Sequence, residues 1–132
     1  MREITLSTDR RTQLVEITYD VRRALDGTNG ASAALVYVPH TTAAVTINER
    51  IDPDLVDDFE DALQKIVDDG WQWRHEDQDG PNAPSHVRGS LIGPQVLVPL
   101  RDGELALGTY QGIFFCEFDG PRERKVYVTT LR

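Results

Sequence analysis

Residues 34–39, ALVYVP, constrain the fold more than any other stretch of the chain. They are β-branched and apolar on both faces, the pattern of an inner strand covered above and below. IFFCEF, 113–118, is a second apolar run, and QVLVPL and RKVYVTTL read as further strands. At 132 residues with 39% apolar composition the chain can bury roughly two-thirds of its unfolded surface in one domain spanning 1–132. No disulfide or structural zinc is needed to hold such a domain together.

REITLS and QLVEIT alternate as two strands, expected to form a hairpin around Asp9-Arg10. TYDVRRALDGTNG predicts a short helix with Val21 and Leu25 on one face, ending in a glycine-rich turn. AAVTIN continues as a strand after a polar corner that holds His40. DPDLVDDFEDALQKIVDDG carries the clearest helix signal: Leu55, Val56, Phe59, Ala62, Leu63, Ile66 and Val67 recur at three- and four-residue spacing. Asp52 is placed as N-cap and Pro53 as first helical residue. Asp57, Asp58 and Asp61 fall on or beside the outward face and read as solvated charge. From Trp71 to Ser90 periodicity stops, and the Pro, Gly, Asn, Asp and Ser content predicts a long loop, ordered around a site by its tryptophans and histidines. ELALGTYQGIFFCEF reads as a single strand, with turns at Arg101-Asp102-Gly103 and Asp119-Gly120-Pro121-Arg122. The expected fold is α+β, a compact and mainly antiparallel β-sheet or sandwich with two main helices.

Charge is unevenly spread. Residues 49–80 hold twelve of the 22 acids and three of the 14 basic residues, a net −9 against +1 for the rest. A chain of formal charge −8 lacks the basic stripe of nucleic-acid binding. Anionic small substrates bind such a chain only where a metal or arginines reverse the field locally. The lone Cys116 reads as a buried small hydrophobe, which fits a reducing compartment. No stretch approaches a membrane span and MREITLSTDRR has no signal core, so the expected location is cytoplasmic.

Three groups of residues could carry chemistry. His40 ends an inner strand; His75 and His86 lie in the expected loop beside Glu76, Asp77, Asn82 and Ser85, which could orient them. Three neutral imidazoles with an open fourth position are the usual plan of a reactive zinc site. Asn48 and Glu49 stand at the exit of a buried strand, where polar groups must be bonded, solvated or liganded. In GTYQG, 108–112, two glycines inside a strand mark a bulge or a close approach, with Tyr110 as a stacking surface and Thr109 and Gln111 as donors. Arg122 and Arg88 are candidate anion clamps, competing with a reading as solvated surface charge.

Taken in order, HTTAAVTINE, DPDLVDD, H…NAPSH and DGELALGTYQGIFFCEFDGPRERKV resemble the YjbQ-like proteins, also called the secondary thiamine-phosphate synthase family. The resemblance implies a compact α+β fold assembling as a homotrimer, with His40, His75 and His86 as a metal site. Zinc suits these histidines, and magnesium is the usual companion of a diphosphate substrate. It further implies weak thiamine-phosphate synthesis, in which a hydroxymethylpyrimidine diphosphate loses diphosphate and a thiazole nitrogen captures the pyrimidinylmethyl cation. Glu49, Asn48 and Arg122 are then the catalytic candidates, and Thr41, Thr109, Tyr110, Gln111 and Arg88 the substrate-binding ones. Tyr110 stands where the family pattern has tryptophan. Two other readings accompany this one: a metal-dependent hydrolase of a small phosphate ester or amide, and a trimeric protein that binds a metal or ligand without turnover.

Overall fold

The computed structural model describes residues 1–50, 52–76 and 80–132. Its strands are β1 (Arg2–Ser7), β2 (Gln13–Glu16), β3 (Ala33–Tyr37), β4 (Ala43–Glu49), β5 (Gln95–Arg101), β6 (Glu104–Leu105), β7 (Gln111–Glu117) and β8 (Glu123–Leu131), and its helices α1 (Thr18–Ala24), α2 (Pro53–Ile66) and α3 (Ala83–Ile92). Two antiparallel sheets form, in the orders β1-β8-β3-β5-β6 and β2-β7-β4. The α+β class with antiparallel sheets is as expected, with three helices among the described residues.

The larger core lies between the sheets. Val36 of β3 and Val38 just beyond it, Val126 and Val128 of β8 and Val98 of β5 meet Val45 of β4, Ile113 and Phe115 of β7, and Val21 and Leu25 from α1 and its cap. A smaller core of Ala44, Cys116 and Phe118 backs the three-stranded sheet, closed by Phe59 and Leu63 of α2 and Ile92 of α3. This explains the two-faced apolarity of IFFCEF: alternate residues of β7 enter different cores. ALVYVP differs, because only one face of β3 is covered. Tyr37 is 39% exposed, as is its neighbour Leu97 of β5 at 57%.

Helix α2 begins as its sequence dictates, with Asp52 Oδ1 accepting from the Asp54 N–H at 2.9 Å and Pro53 at the first position. Its inward stripe is narrower than the spacing suggests, since Ala62 and Ile66 face solvent beside Asp57, Asp58 and Asp61.

Three expectations are corrected. The first two strands do not pair: β1 lies on β8 and β2 on β7, so residues 8–12 carry the chain from one sheet to the other. Alternation identifies a strand but not its partner, and this crossing is held by Thr8 N–H on Arg122 O (2.9 Å) and Gly120 N–H on Arg11 O (3.0 Å). The stretch 104–118 is broken, because the chain turns at 106–110 between β6 and β7, with Gly108 N–H donating to Gln111 Oε1 at 2.8 Å. The Trp71–Ser90 segment is not all loop, since α3 starts at Ala83. Its Gly89 permits close packing: a Cβ there would lie 3.1 Å from Ala43 O and 3.2 Å from Thr41 O.

Candidate functional site

The corner between β3 and β4, the first turn of α3 and the β7–β8 turn come together at one end of the sandwich. Pro39, His40, Thr41 and Thr42 from the corner, Asn82 and His86 from the N-cap and first turn of α3, Asp119 and Arg122 from the turn and Arg124 from the start of β8 enclose a cleft of about 290 Å³. A second cleft of about 280 Å³ shares His40, Thr41 and His86 and runs toward Gly89 and Pro94. His75 joins the group through His86, the two rings meeting edge to face with centroids 4.9 Å apart. The three histidines therefore gather in one region, although they are scattered along the chain.

Each polar wall is held in place. Arg122 donates from Nε to Asp119 O (2.8 Å) and from Nη2 to Asp119 Oδ2 (2.9 Å), an oxygen that also accepts from Asn82 Nδ2 at 3.0 Å. Arg124 is clamped by the fully buried Glu117, with Nε on Oε1 at 2.8 Å and Nη2 on Oε2. His40 Nε2 accepts the Lys125 backbone N–H at 2.9 Å. Burial and then the Arg124 charge push the His40 pKa below its ordinary value, and the Glu117 carboxylate opposes them. Since the Lys125 donor is an N–H, a proton on Nε2 would set two donors against each other, so this contact also favours the neutral ring.

These contacts bear on the expected zinc site. A metal would need Nε2 of His40 to leave Lys125, or Nδ1 to ligate after losing its proton. Among the described residues, no group of three or more His, Cys, Asp or Glu side chains is arranged to hold a metal. The trio as placed does not fit a three-imidazole centre. His86 Nε2 is buried and makes no hydrogen bond among the described residues.

The remaining candidates divide. Thr41 and Arg122 line the cleft. Arg88 is no anion clamp: it is 3% exposed, and its Nη2 donates to Val67 O (2.6 Å) and Asp69 Oδ1 (3.2 Å), tying α3 to the chain after α2. Asn48, Glu49, Thr109, Tyr110 and Gln111 lie at the opposite end of the three-stranded sheet, where Asn48 pairs with Gly112 and Glu49 with Gln111. The length of β4 separates them from the histidine cleft, six residue steps from Ala43 to Glu49 or about 20 Å at 3.3 Å per residue. Within one protomer these two sets do not act on the same atoms. Gly112 serves packing, since a Cβ there would lie 2.8 Å from Arg50 Cβ and 3.1 Å from Glu16 Oε2. Tyr110 sits on the turn and not within a strand, 63% exposed. Glu76 is exposed, Ser85 donates to Phe118 O, and Asp77 lies outside the described residues.

Asp119 and Arg124 of the cleft were missed, as was Glu117, the buried partner of Arg124, while Asn82, expected to orient a histidine, donates to Asp119. The signal was available in part, because a glutamate inside IFFCEF must find a partner if the strand is buried. A larger cleft, about 560 Å³, lies between the α1 exit and the β5–β6 hairpin. Its charged lining is Asp26, Asp102 and Glu104 with Arg22, and it holds no histidine, so chemistry favours the smaller site.

Comparison with known proteins agrees with the fold. The family model described as "UPF0047 protein YjbQ-like" matches residues 2–132. The chain belongs to the YjbQ-like UPF0047 family. Within it, a UPF0047 protein of Archaeoglobus fulgidus is 43% identical over 129 residues, covering 98% of this chain and 99% of that one. YugU of Bacillus subtilis is 40% identical over 135 residues, covering 99% and 98%. Among solved structures, a YjbQ/UPF0047 family protein of Clostridium acetobutylicum superposes with a TM-score of 0.92 at 39% identity, covering 99% of this chain and all of that one. A hypothetical protein of Aeropyrum pernix K1 gives 0.90 at 38%, covering 98% and 96%. Among the described residues, no helix is long and apolar enough to cross a membrane.

Proposed function

We propose that the cleft binds the phosphate end of a small phosphorylated substrate, and that the protein is a transferase of the thiamine-phosphate synthase type. The observation that carries this reading is the convergence of Arg122, Arg124, His40 and His86 on one concave site in a chain of net charge −8. Oriented guanidinium and imidazole donors are what a leaving diphosphate needs as its negative charge grows. Arg122 and Arg124 stabilise that charge. Asn48 and Glu49 take no part in this step within the protomer, being at the far end of β4.

A homotrimer is part of the proposal. Leu35 faces Leu97 and Tyr37 faces Tyr127 across the uncovered side of the five-stranded sheet, an apolar patch suited to burial against a second copy. Expression in a strain lacking thiamine-phosphate synthase tests the activity. Growth without thiamine that disappears on Arg122→Ala is expected, and no growth with the folded wild-type chain overturns it.

A metal-dependent hydrolase is the second reading, favoured by His86, whose Nε2 makes no hydrogen bond among the described residues and whose ring meets that of His75 edge to face. Holding zinc or magnesium there would require His40 Nε2 to leave the Lys125 N–H, and the ion would then supply Lewis-acid polarisation of a phosphoryl oxygen. Elemental analysis of tag-free protein decides: a stoichiometric metal lost on His86→Ala supports this reading, and metal-free protein that takes up neither ion removes it.

A further inference from the structure

The innermost wall of the cleft is Arg124, 5% exposed, backed by Glu117, which has no exposed surface. The Glu117 carboxylate accepts from Thr8 Oγ1 (2.8 Å) and from the backbone N–H groups of Phe118 (3.1 Å) and Asp119 (3.0 Å), besides both arginine contacts. Arg124 Nη2 donates in addition to Thr42 Oγ1 at 2.8 Å. Nε and Nη2 are thus committed, while Nη1 makes no hydrogen bond among the described residues. A guanidinium fixed on two nitrogens with the third unengaged is a directed donor with little entropy left to lose.

The next residue of β8 sets a second donor. Because Lys125 N–H occupies Nε2 of His40, the neutral imidazole must carry its proton on Nδ1, which has no partner among the described residues. One stretch of backbone, Arg124-Lys125, therefore orients both groups. We propose that Arg124 Nη1 and His40 Nδ1–H form a paired donor set for the oxygens of a terminal phosphate dianion, and that Glu117 is the positioning residue that aims Arg124. This rests on the proposed function and deepens it. It assigns His40 to hydrogen-bond donation instead of metal ligation, specifies Nη1 as the Arg124 atom that binds, and adds Glu117 as the residue that aims it.

The test uses the full chain with inorganic phosphate and phenyl phosphate as probes. Two-dimensional ¹H–¹⁵N spectra of the imidazoles report the tautomer, and calorimetry reports affinity. The expected result is an Nδ1–H tautomer for His40 whose resonance moves on adding phosphate, with affinity falling about tenfold in Arg124→Lys, which keeps the charge and loses the fork. Glu117→Gln separates aiming from simple charge balance. Removing a nearby negative charge by itself strengthens anion binding, whereas loss of the clamp weakens it, and weaker binding is expected. An Nε2–H tautomer, or a His40 resonance unmoved at saturating phosphate, overturns the inference even if every variant unfolds. Phosphate binding that is lost with Arg122→Ala but insensitive to Arg124 and His40 sinks this inference and leaves the proposed function standing. No binding of either probe sinks both.

Discussion

Replacing Arg124 by Met while leaving Glu117 in place isolates the buried pair beneath the cleft. Glu117 has no exposed surface and would lose two charge-assisted hydrogen bonds, and Thr42 Oγ1 would lose its donor. Breaking a buried pair from one side costs about 3–5 kcal/mol. Three donors remain on the carboxylate, Thr8 Oγ1 and the Phe118 and Asp119 N–H groups, which favours the lower end, about 3 kcal/mol. For a domain of this size that is a fall in Tm of roughly 10 °C. The matched double substitution Arg124→Met with Glu117→Leu does not restore wild-type stability, because the Asp119 N–H is then orphaned at about 1–3 kcal/mol, whereas the Phe118 N–H and Thr8 Oγ1 keep Thr42 O (3.1 Å) and Arg122 O (3.2 Å) as acceptors. Urea denaturation of the two singles and the double gives the coupling directly. An Arg124→Met protein within 1 kcal/mol of wild type, or a coupling indistinguishable from zero, would refute the account of the pair.

Gly89→Ala gains helix propensity worth about 1 kcal/mol but pushes a Cβ to 3.1 Å from Ala43 O and 3.2 Å from Thr41 O, both backbone. A net destabilisation of about 1 kcal/mol or more is expected in urea melts. His40 has a folded pKa below its unfolded value of about 6.5. Its contribution is fully present above that pH and is lost as pH falls through the folded value. The stability difference between wild type and His40→Asn should therefore shrink between neutral pH and pH 5, and a difference independent of pH over that window would contradict the assignment. Burial pushes the Cys116 thiol well above its ordinary pKa. It should react with a thiol reagent no faster than the protein unfolds, and prompt labelling of the native chain would show the smaller core to be open. Leu97→Lys, on the uncovered sheet face, is expected to shift sedimentation toward the monomer without lowering phosphate affinity.

The strands and α2 were legible because each owes its form to a local pattern: β-branched runs, three- and four-residue spacing, and the Asp52-Pro53 start. Pairing was not, since nothing in REITLS or QLVEIT distinguishes a hairpin neighbour from β8 or β7. Helix α3 was hidden by Pro84 and Gly89, which read as loop residues but serve as a helix start and a packing notch. At the site, His40, His75 and His86 were correctly expected to converge. Asn48, Glu49 and Gln111 lie apart from the histidines within one protomer, because motif residues adjacent in sequence to the histidine corner are carried about 20 Å away by the length of β4. Arg88 looked like an exposed cation only because its helix had not been recognised, and Arg124 was passed over because its buried counter-charge lies on another strand.

Backbone amide spectra of the full chain titrated with phenyl phosphate test the central claim most directly. The account predicts saturable shifts confined to residues 39–42, the first turn of α3 and the 117–125 segment. Shifts centred on the Asp26–Asp102 cleft or on the Glu49–Gln111 end of the sheet, or none at all, would contradict it.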